Sequence, residues 1–249
     1  MKLSIVILTK NEEDVIADCL ESLSGFGDEI IVVDAGSTDR TVQIAQHLGA
    51  KIVEHRFEDF ASQRNFALRQ AQGEFVLYID ADEQVTSEFK KEVKVVIETF
   101  DPNLPVAGYF LKRKTFYFGK DWNLEDRVQR LFYKKKFKEW YGVVHETPKV
   151  DGSFGTLESP ILHFTHRNLS QMLTKTNEWS KYEAELRFKA KHPKMTVVRF
   201  IRVMITAFLD SYIKNKGYKN GVYGFIEAMY QSFSMFITYG KLWEMQNKK

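Results

Sequence analysis

The sequence predicts an α/β fold: a mixed, mostly parallel central sheet followed by a helical C-terminal extension. Three observations carry this. The first eighty residues alternate short apolar runs with helical patterns. The apolar runs are rich in Ile and Val without polar alternation, as in strands covered on both faces. From Leu169 onward the chain reads as mostly helical.

In order, Leu3–Thr9 reads as a buried strand, residues 12–24 as a helix and Glu29–Asp34 as a second buried strand. Residues 38–48 are helical, 51–55 a short strand, 61–72 helical and 74–80 a fourth strand. Such strand–helix repetition implies a parallel sheet with right-handed crossovers. After a helix near 87–99, the segment 101–105 with its two prolines breaks the pattern. Residues 108–119 and 127–135 then read as strands of mixed or antiparallel character, and 161–164 as a last strand. The expected organisation is an α/β domain over 1–165, with a first half over 1–100 and a second over 101–165, then a helical extension over 166–249.

The chain has 249 residues, 44% hydrophobic and 28% charged, enough for a sizeable core. Its single cysteine, Cys19, excludes an internal disulfide and sits in an apolar-periodic helix pattern, which favours a buried structural thiol. The net charge of +3 conceals an asymmetry: residues 166–249 carry +9 and residues 1–165 carry −6. The N-terminal apolar run is too short for a signal peptide, and no stretch is apolar enough for a spanning helix. A cytoplasmic protein, peripheral at the inner face of the cytoplasmic membrane, is expected, with no nucleic-acid partner.

In an open parallel sheet, ligands bind beyond the carboxyl ends of the strands. Polar and acidic residues collect there: Thr9 to Glu12, Asp34 to Asp39 and Asp80 to Glu83. For Ser37, Thr38 and Asp39, helix capping and ligand contact stand as equal alternatives. Dinucleotide, P-loop and nucleophile-elbow motifs are absent, as is any spaced Cys or His ligand set. Asp80 and Asp82 end a strand on one side, since side chains alternate with period two. Two such hard oxygens suit Mg²⁺ or Mn²⁺.

Four segments occur in order: Ser4 to Glu12 (SIVILTKNE), Val33 to Thr41 (VDAGSTDRT), Gln63 to Ala67 (QRNFA) and Asp80 to Glu83 (DADE). Together they resemble the family 2 inverting glycosyltransferases of the GT-A fold. Arg130-Leu131-Phe132, Val143 to Glu146 and Leu162-His163-Phe164 are similar to a bacterial subgroup that includes lipopolysaccharide core β-glucosyltransferases. The resemblance implies nucleoside contacts from Thr9, Glu12, Asp34, Gly36 and Ser37, and base or diphosphate contacts from Arg64 and Asn65. It implies a ribose-side role for Asp80 within the metal motif, a direct metal ligand in Asp82, and assistance from Gln84 and His163. His163 also reads as a core histidine of an apolar strand. Where relatives carry an acidic pair on the acceptor side, this chain has His145-Glu146, so either could be the base.

The implied activity is metal-dependent transfer from a nucleotide-sugar, a UDP-sugar by the resemblance, to a cell-envelope glycolipid or saccharide acceptor such as lipopolysaccharide core. The alternatives are a non-catalytic nucleotide-sugar-binding or membrane-surface module and an Asp-nucleophile phosphatase. The apolar, aromatic helices at 197–209 and 222–243, in the basic third of the chain, point to an anionic membrane surface. Covering the core or pairing in a homo-oligomer is the plainer role for them.

Overall fold

The computed structural model describes residues 2–142 and 146–248. It divides into two compact units: Met1–Thr115 with Glu125–Phe164, and Phe116–Leu124 with Thr165–Lys249. The sequence reading places residues 116–124 in the first domain. In the structure they cluster with the helices, where Tyr117 stacks on His166 and Phe118 meets Tyr223.

The first unit opens with β1 (Leu3–Thr9), α1 (Ile16–Ser22), β2 (Glu29–Asp34), α2 (Thr41–His47), β3 (Lys51–Glu54), α3 (Phe60–Gln70) and β4 (Phe75–Asp80). The short β5 (Glu83–Val85) and α4 (Ser87–Glu98) follow. Then come the long strands β6 (Val106–Tyr117) and β7 (Lys120–Tyr133), the hairpin of β8 (Phe137–Tyr141) and β9 (Thr147–Val150), and β10 (Ser153–Thr165). The eight-stranded sheet runs β3-β2-β1-β4-β7-β6-β10-β5. Its β3-β2-β1-β4 half is parallel, and the change of direction comes where β7 pairs antiparallel with β4.

Strand alternation divides the core into two layers. Ile5, Ile7, Leu77 and Ile79 face Ile16, Cys19 and Leu20 of α1 and Phe89 and Val93 of α4. Val6, Ile31, Val76 and Tyr78 face Ala61 and Ala67 of α3 together with Phe137 and Trp140. With helices on both faces, these strands need apolar residues at every position, as their sequence shows. Burial pushes the Cys19 thiol well up, as do the nearby carboxylates of Glu83, Asp82 and Asp80. The thiol packs as an inert hydrophobe.

The second unit holds α5 (Leu169–Lys189), α6 (Val197–Leu209) and α7 (Gly221–Asn247). Asn168 and Thr196 cap α5 and α6 by accepting from Gln171 and Arg199 N–H groups. α6 continues into a wider π-turn over Asp210–Lys214. Ring contacts Phe200–Phe236 and Phe208–Phe225 show α6 and α7 running antiparallel. Gly224 lets the start of α7 lie against the loop: a Cβ there would stand 1.8 Å from the Gly217 carbonyl oxygen. α6 has no buried residue. Val198 is 75% exposed, and Ile201, Ile205, Phe225, Met229 and Phe233 are each 42–53% exposed.

Candidate active site

Register aligns the rim residues. Thr9 pairs with Asp34 across β1–β2, and Leu8 pairs with Asp80 across β1–β4. Three strand ends thus bring Thr9, Asp34 and Asp80 to one edge. The buried Thr9 hydroxyl has no hydrogen-bond partner among the described residues.

Asp34 organises its own loop. It accepts from the Gly36 and Ser37 N–H groups at 2.9 and 2.8 Å, and the Ser37 hydroxyl donates to its second oxygen. Gly36 has a φ of +86°, a left-handed position that glycine adopts without cost. The Asn11 N–H donates to the Ser37 hydroxyl at 2.9 Å, and the Thr38 N–H donates to Asn11 Oδ1 at 2.8 Å. At the start of α2 Asp39 accepts from the Thr41 N–H, and the Glu12 N–H donates to the Thr41 hydroxyl. The two loops are therefore tied into one rigid lip.

The charged centre lies beyond β4. Arg64, 3% exposed, sends Nη2 to Asp80 Oδ1 at 3.1 Å and Nε to Glu146 Oε1 at 2.7 Å. Its guanidinium lies over the rings of Tyr78 and Trp140, at 5.5 and 5.1 Å. Arg130 Nη2 reaches the other Asp80 oxygen at 2.8 Å. Against the cost of burial, Arg130 and then Arg64 hold the Asp80 carboxyl well below the usual carboxylate range. Behind it, Glu83 is wholly buried, accepts from the Asp80 N–H at 2.9 Å and faces Arg113 at 3.4 Å. Burial, then the Asp80 charge, pushes Glu83 up.

Asp82 Oδ2 lies 3.4 Å from His163 Nε2. Strand pairing of His163 with Glu83 across β10–β5 creates this approach. Burial favours the neutral imidazole, but the Asp82 hydrogen bond and charge outweigh it and raise the His163 pKa. Three buried nitrogens around this centre lack hydrogen-bond partners among the described residues: Arg64 Nη1, Arg130 Nε and His163 Nδ1.

The structure thus joins Arg64, Asp80 and Glu146, residues far apart in sequence, and sets Asp82 against His163. Asn65 sits differently from its expected ligand role. Its amide donates to the Trp140 carbonyl and accepts from the Trp140 N–H, both at 2.8 Å, clamping β8 to α3. Gln84 pairs with Leu162 in the β5–β10 ladder. His145 lies outside the described residues. The roles of Arg130 and Arg113 escaped the sequence reading. For Arg130 the available signal was a cation inside the otherwise apolar Leu131-Phe132-Tyr133 strand.

The model of the family "Glycosyl transferase family 2" matches residues 4–154, more than half of the chain. The chain belongs to this family. A relative described as an uncharacterized glycosyltransferase of Rickettsia typhi is 30% identical over 266 residues, covering 99% of this chain and 88% of the relative. The lipopolysaccharide core biosynthesis glycosyltransferase LpsC of Rhizobium meliloti is 28% identical, covering 98% of this chain and 93% of LpsC. Among solved structures, Staphylococcus aureus TarS with UDP-GlcNAc matches with a TM-score of 0.49 at 16% identity, over 99% of this chain and 91% of that one. Mycobacterium tuberculosis glucosyl-3-phosphoglycerate synthase with Mn²⁺ and UDP matches with a TM-score of 0.37 at 26% identity, over 47% of this chain. The glycosyltransferase spans 44% of that synthase.

A divalent ion is implied for such an enzyme, and the donor chemistry fits one in a particular way. Among the described residues no group of three or more His, Cys, Asp or Glu could hold a metal. Asp82 and His163 offer a carboxylate and an imidazole side by side, which suits Mg²⁺ or Mn²⁺ when substrate phosphates and water complete the shell. Asp80, expected to share the ion, has both oxygens on arginines instead.

Proposed function

We propose that this glycosyltransferase moves a sugar from a UDP-linked donor to a saccharide of lipopolysaccharide-core type, with inversion at the anomeric carbon. The observation that carries the proposal is the centre itself. Asp82 and His163 stand beside a buried arginine pair with unpartnered nitrogens, and one of those arginines also grips Glu146. Buried guanidinium N–H groups without partners are costly unless an anion arrives, and a diphosphate is such an anion. The LpsC likeness supports the acceptor class.

Asp82 and His163 would hold a divalent ion, which when bound supplies Lewis-acid neutralisation of the leaving diphosphate. Arg64 and Arg130 orient the donor through their free nitrogens. Glu146 takes the acceptor hydroxyl proton as that oxygen attacks the anomeric carbon, and the carbon–oxygen bond to UDP breaks on the opposite face. His145 is the second candidate for the base. A phosphatase would need Asp80 as a nucleophile, and its oxygens are bound by two guanidinium groups.

The helical unit is read as a membrane-surface element. Among the described residues no helix is long and apolar enough to cross a membrane. The exposed stripe of Ile201, Ile205, Phe225, Met229 and Phe233 lies in the region carrying +9. Basic residues at headgroup level around an apolar face complement an anionic leaflet.

The test is a panel of nucleotide-sugars incubated without acceptor, with Mn²⁺ and then with EDTA. Slow release of UDP from one UDP-sugar, suppressed by EDTA, is expected. That ligand at 100 times its Kd should stabilise the fold by about 2.7 kcal/mol. No release and no stabilisation by any UDP-sugar would overturn the reading.

A further inference from the structure

The face of the α6–α7 pair turned away from the exposed apolar stripe borders a cavity of about 730 Å³. That volume is within the usual range for small-ligand sites, roughly 300–1,000 Å³. It lies entirely within the helical unit, walled by the hairpin tip on one side and by α6, its π-turn and α7 on the other. The lining used below comprises Tyr117 and Trp122 from the tip, Arg202 and Asp210 from α6 and its π-turn, and Gln231 from α7.

Three features mark this as a built site. Trp122 is only 5% exposed, yet its indole N–H, a donor with no acceptor capacity, has no hydrogen-bond partner among the described residues. The wall beside it is fixed: Glu227, 1% exposed, receives His166 Nδ1 at 2.9 Å on both oxygens and Gln231 Nε2 at 2.8 Å. His166 in turn stacks on Tyr117 at 4.7 Å, and Tyr117 meets the edge of Trp122 at 4.9 Å. Finally, the helix widens into a π-turn whose first two residues, Asp210 and Ser211, line the cavity, a distortion that recurs at functional sites.

The chemistry of the lining selects a ligand class. Asp210 accepts hydrogen bonds, Arg202 and Trp122 donate them, Gln231 does both, and aromatic rings supply apolar surface. The lining sets one cation, Arg202, among two carboxylates, Asp210 and Glu227, so no anion is called for. A lipid chain would leave these polar groups unpaired, which is costly. A molecule with many hydroxyls and apolar C–H faces satisfies them.

We propose that this cavity is a saccharide subsite, receiving a hydroxyl-rich sugar unit of the acceptor. The proposal rests on the transferase reading for the word acceptor and on the cavity alone for the saccharide. It assigns to the helical unit a share in choosing the substrate, beyond any hold on a membrane.

Calorimetric titration with deacylated lipopolysaccharide core oligosaccharide, in the absence of donor, tests it directly. Two variants of the full chain are used. Trp122→Phe keeps the ring packing and removes the indole N–H, and Ala207→Phe adds bulk to the α6 wall of the cavity. Wild-type protein binds the oligosaccharide. Trp122→Phe weakens binding roughly fivefold, the worth of one neutral hydrogen bond, and Ala207→Phe abolishes it while thermal unfolding shows both variants folded. Absence of wild-type binding at millimolar oligosaccharide, or unchanged affinity in a folded Ala207→Phe, overturns the subsite. Failure of the transferase reading shows separately, as no UDP release by wild-type protein from any UDP-sugar.

Discussion

Asp80 and Asp82 are two residues apart and do opposite work. Asp80 pairs with two buried arginines, so Asp80→Ala takes the carboxylate from Arg130 and leaves Arg64 with Glu146. Breaking one partner out of a buried pair costs about 3–5 kcal/mol, and denaturant unfolding should read a loss on that scale. Asp82 lies 3.4 Å from His163, and asparagine keeps its size and its capacity to accept a hydrogen bond. Asp82→Asn should therefore leave stability within about 1 kcal/mol while abolishing transfer. Equal destabilisation by the two variants would contradict this division. Glu146→Gln keeps the shape of the side chain and removes the proton acceptor, so turnover should fall by about 10²- to 10⁴-fold. Donor affinity should hold, because Asp80 and Arg130 keep their pairing. Steady-state kinetics paired with UDP titration separates the two effects.

At the scale of elements, Gly224 in the first turns of α7 lies close against the Gly217 backbone. A methyl on Gly224 would overlap the Gly217 carbonyl, and the backbone must shift to admit it. Gly224→Ala should cost about 1–3 kcal/mol and lower the thermal midpoint, whereas Gly240→Ala, where a Cβ meets open space, should not. The parallel half of the fold was legible in the sequence because uninterrupted Ile and Val runs such as Glu29–Asp34 have one reading at that length. Starts and ends drifted for local reasons. The first helix was expected from residue 12 but begins at Ile16, since Asn11 is left-handed and a turn intervenes. β5, with three residues, is too short to show any period, and β8 and β9 lie among lysines and prolines that mask alternation. At the site, strand-end carboxylates could be read from position. The arginines holding them could not, because their meeting depends on strand order across β4–β7 and on α3 packing, which no local pattern encodes.

At the scale of the whole molecule, charge is divided along the chain, with the surplus of cations on the helices. Flotation with vesicles tests the leaflet reading. Binding should rise with anionic lipid, weaken as salt shortens the screening length, and fall when Ile201 and Phe233 are replaced together by Ser. If the protein ignores anionic vesicles at low salt and instead elutes as a dimer that the same double variant dissolves, the stripe covers a second copy.

The hairpin tip at Phe116–Leu124 has a consequence for how the protein can be cut. Because the tip clusters with the helices while its strands lie in the sheet, the chain passes between the two units three times. A protease nick between Phe164 and Thr165 severs only one of those passages. The fragments would stay together through Tyr117 on His166 and Phe118 against Tyr223. They would co-elute under native conditions and part only in denaturant. A clone ending at residue 164 would carry the tip without the helices it packs on, exposing Tyr117 and Trp122 to water. Grafting these helices onto a relative therefore requires moving two separate stretches of sequence, the tip as well as the tail.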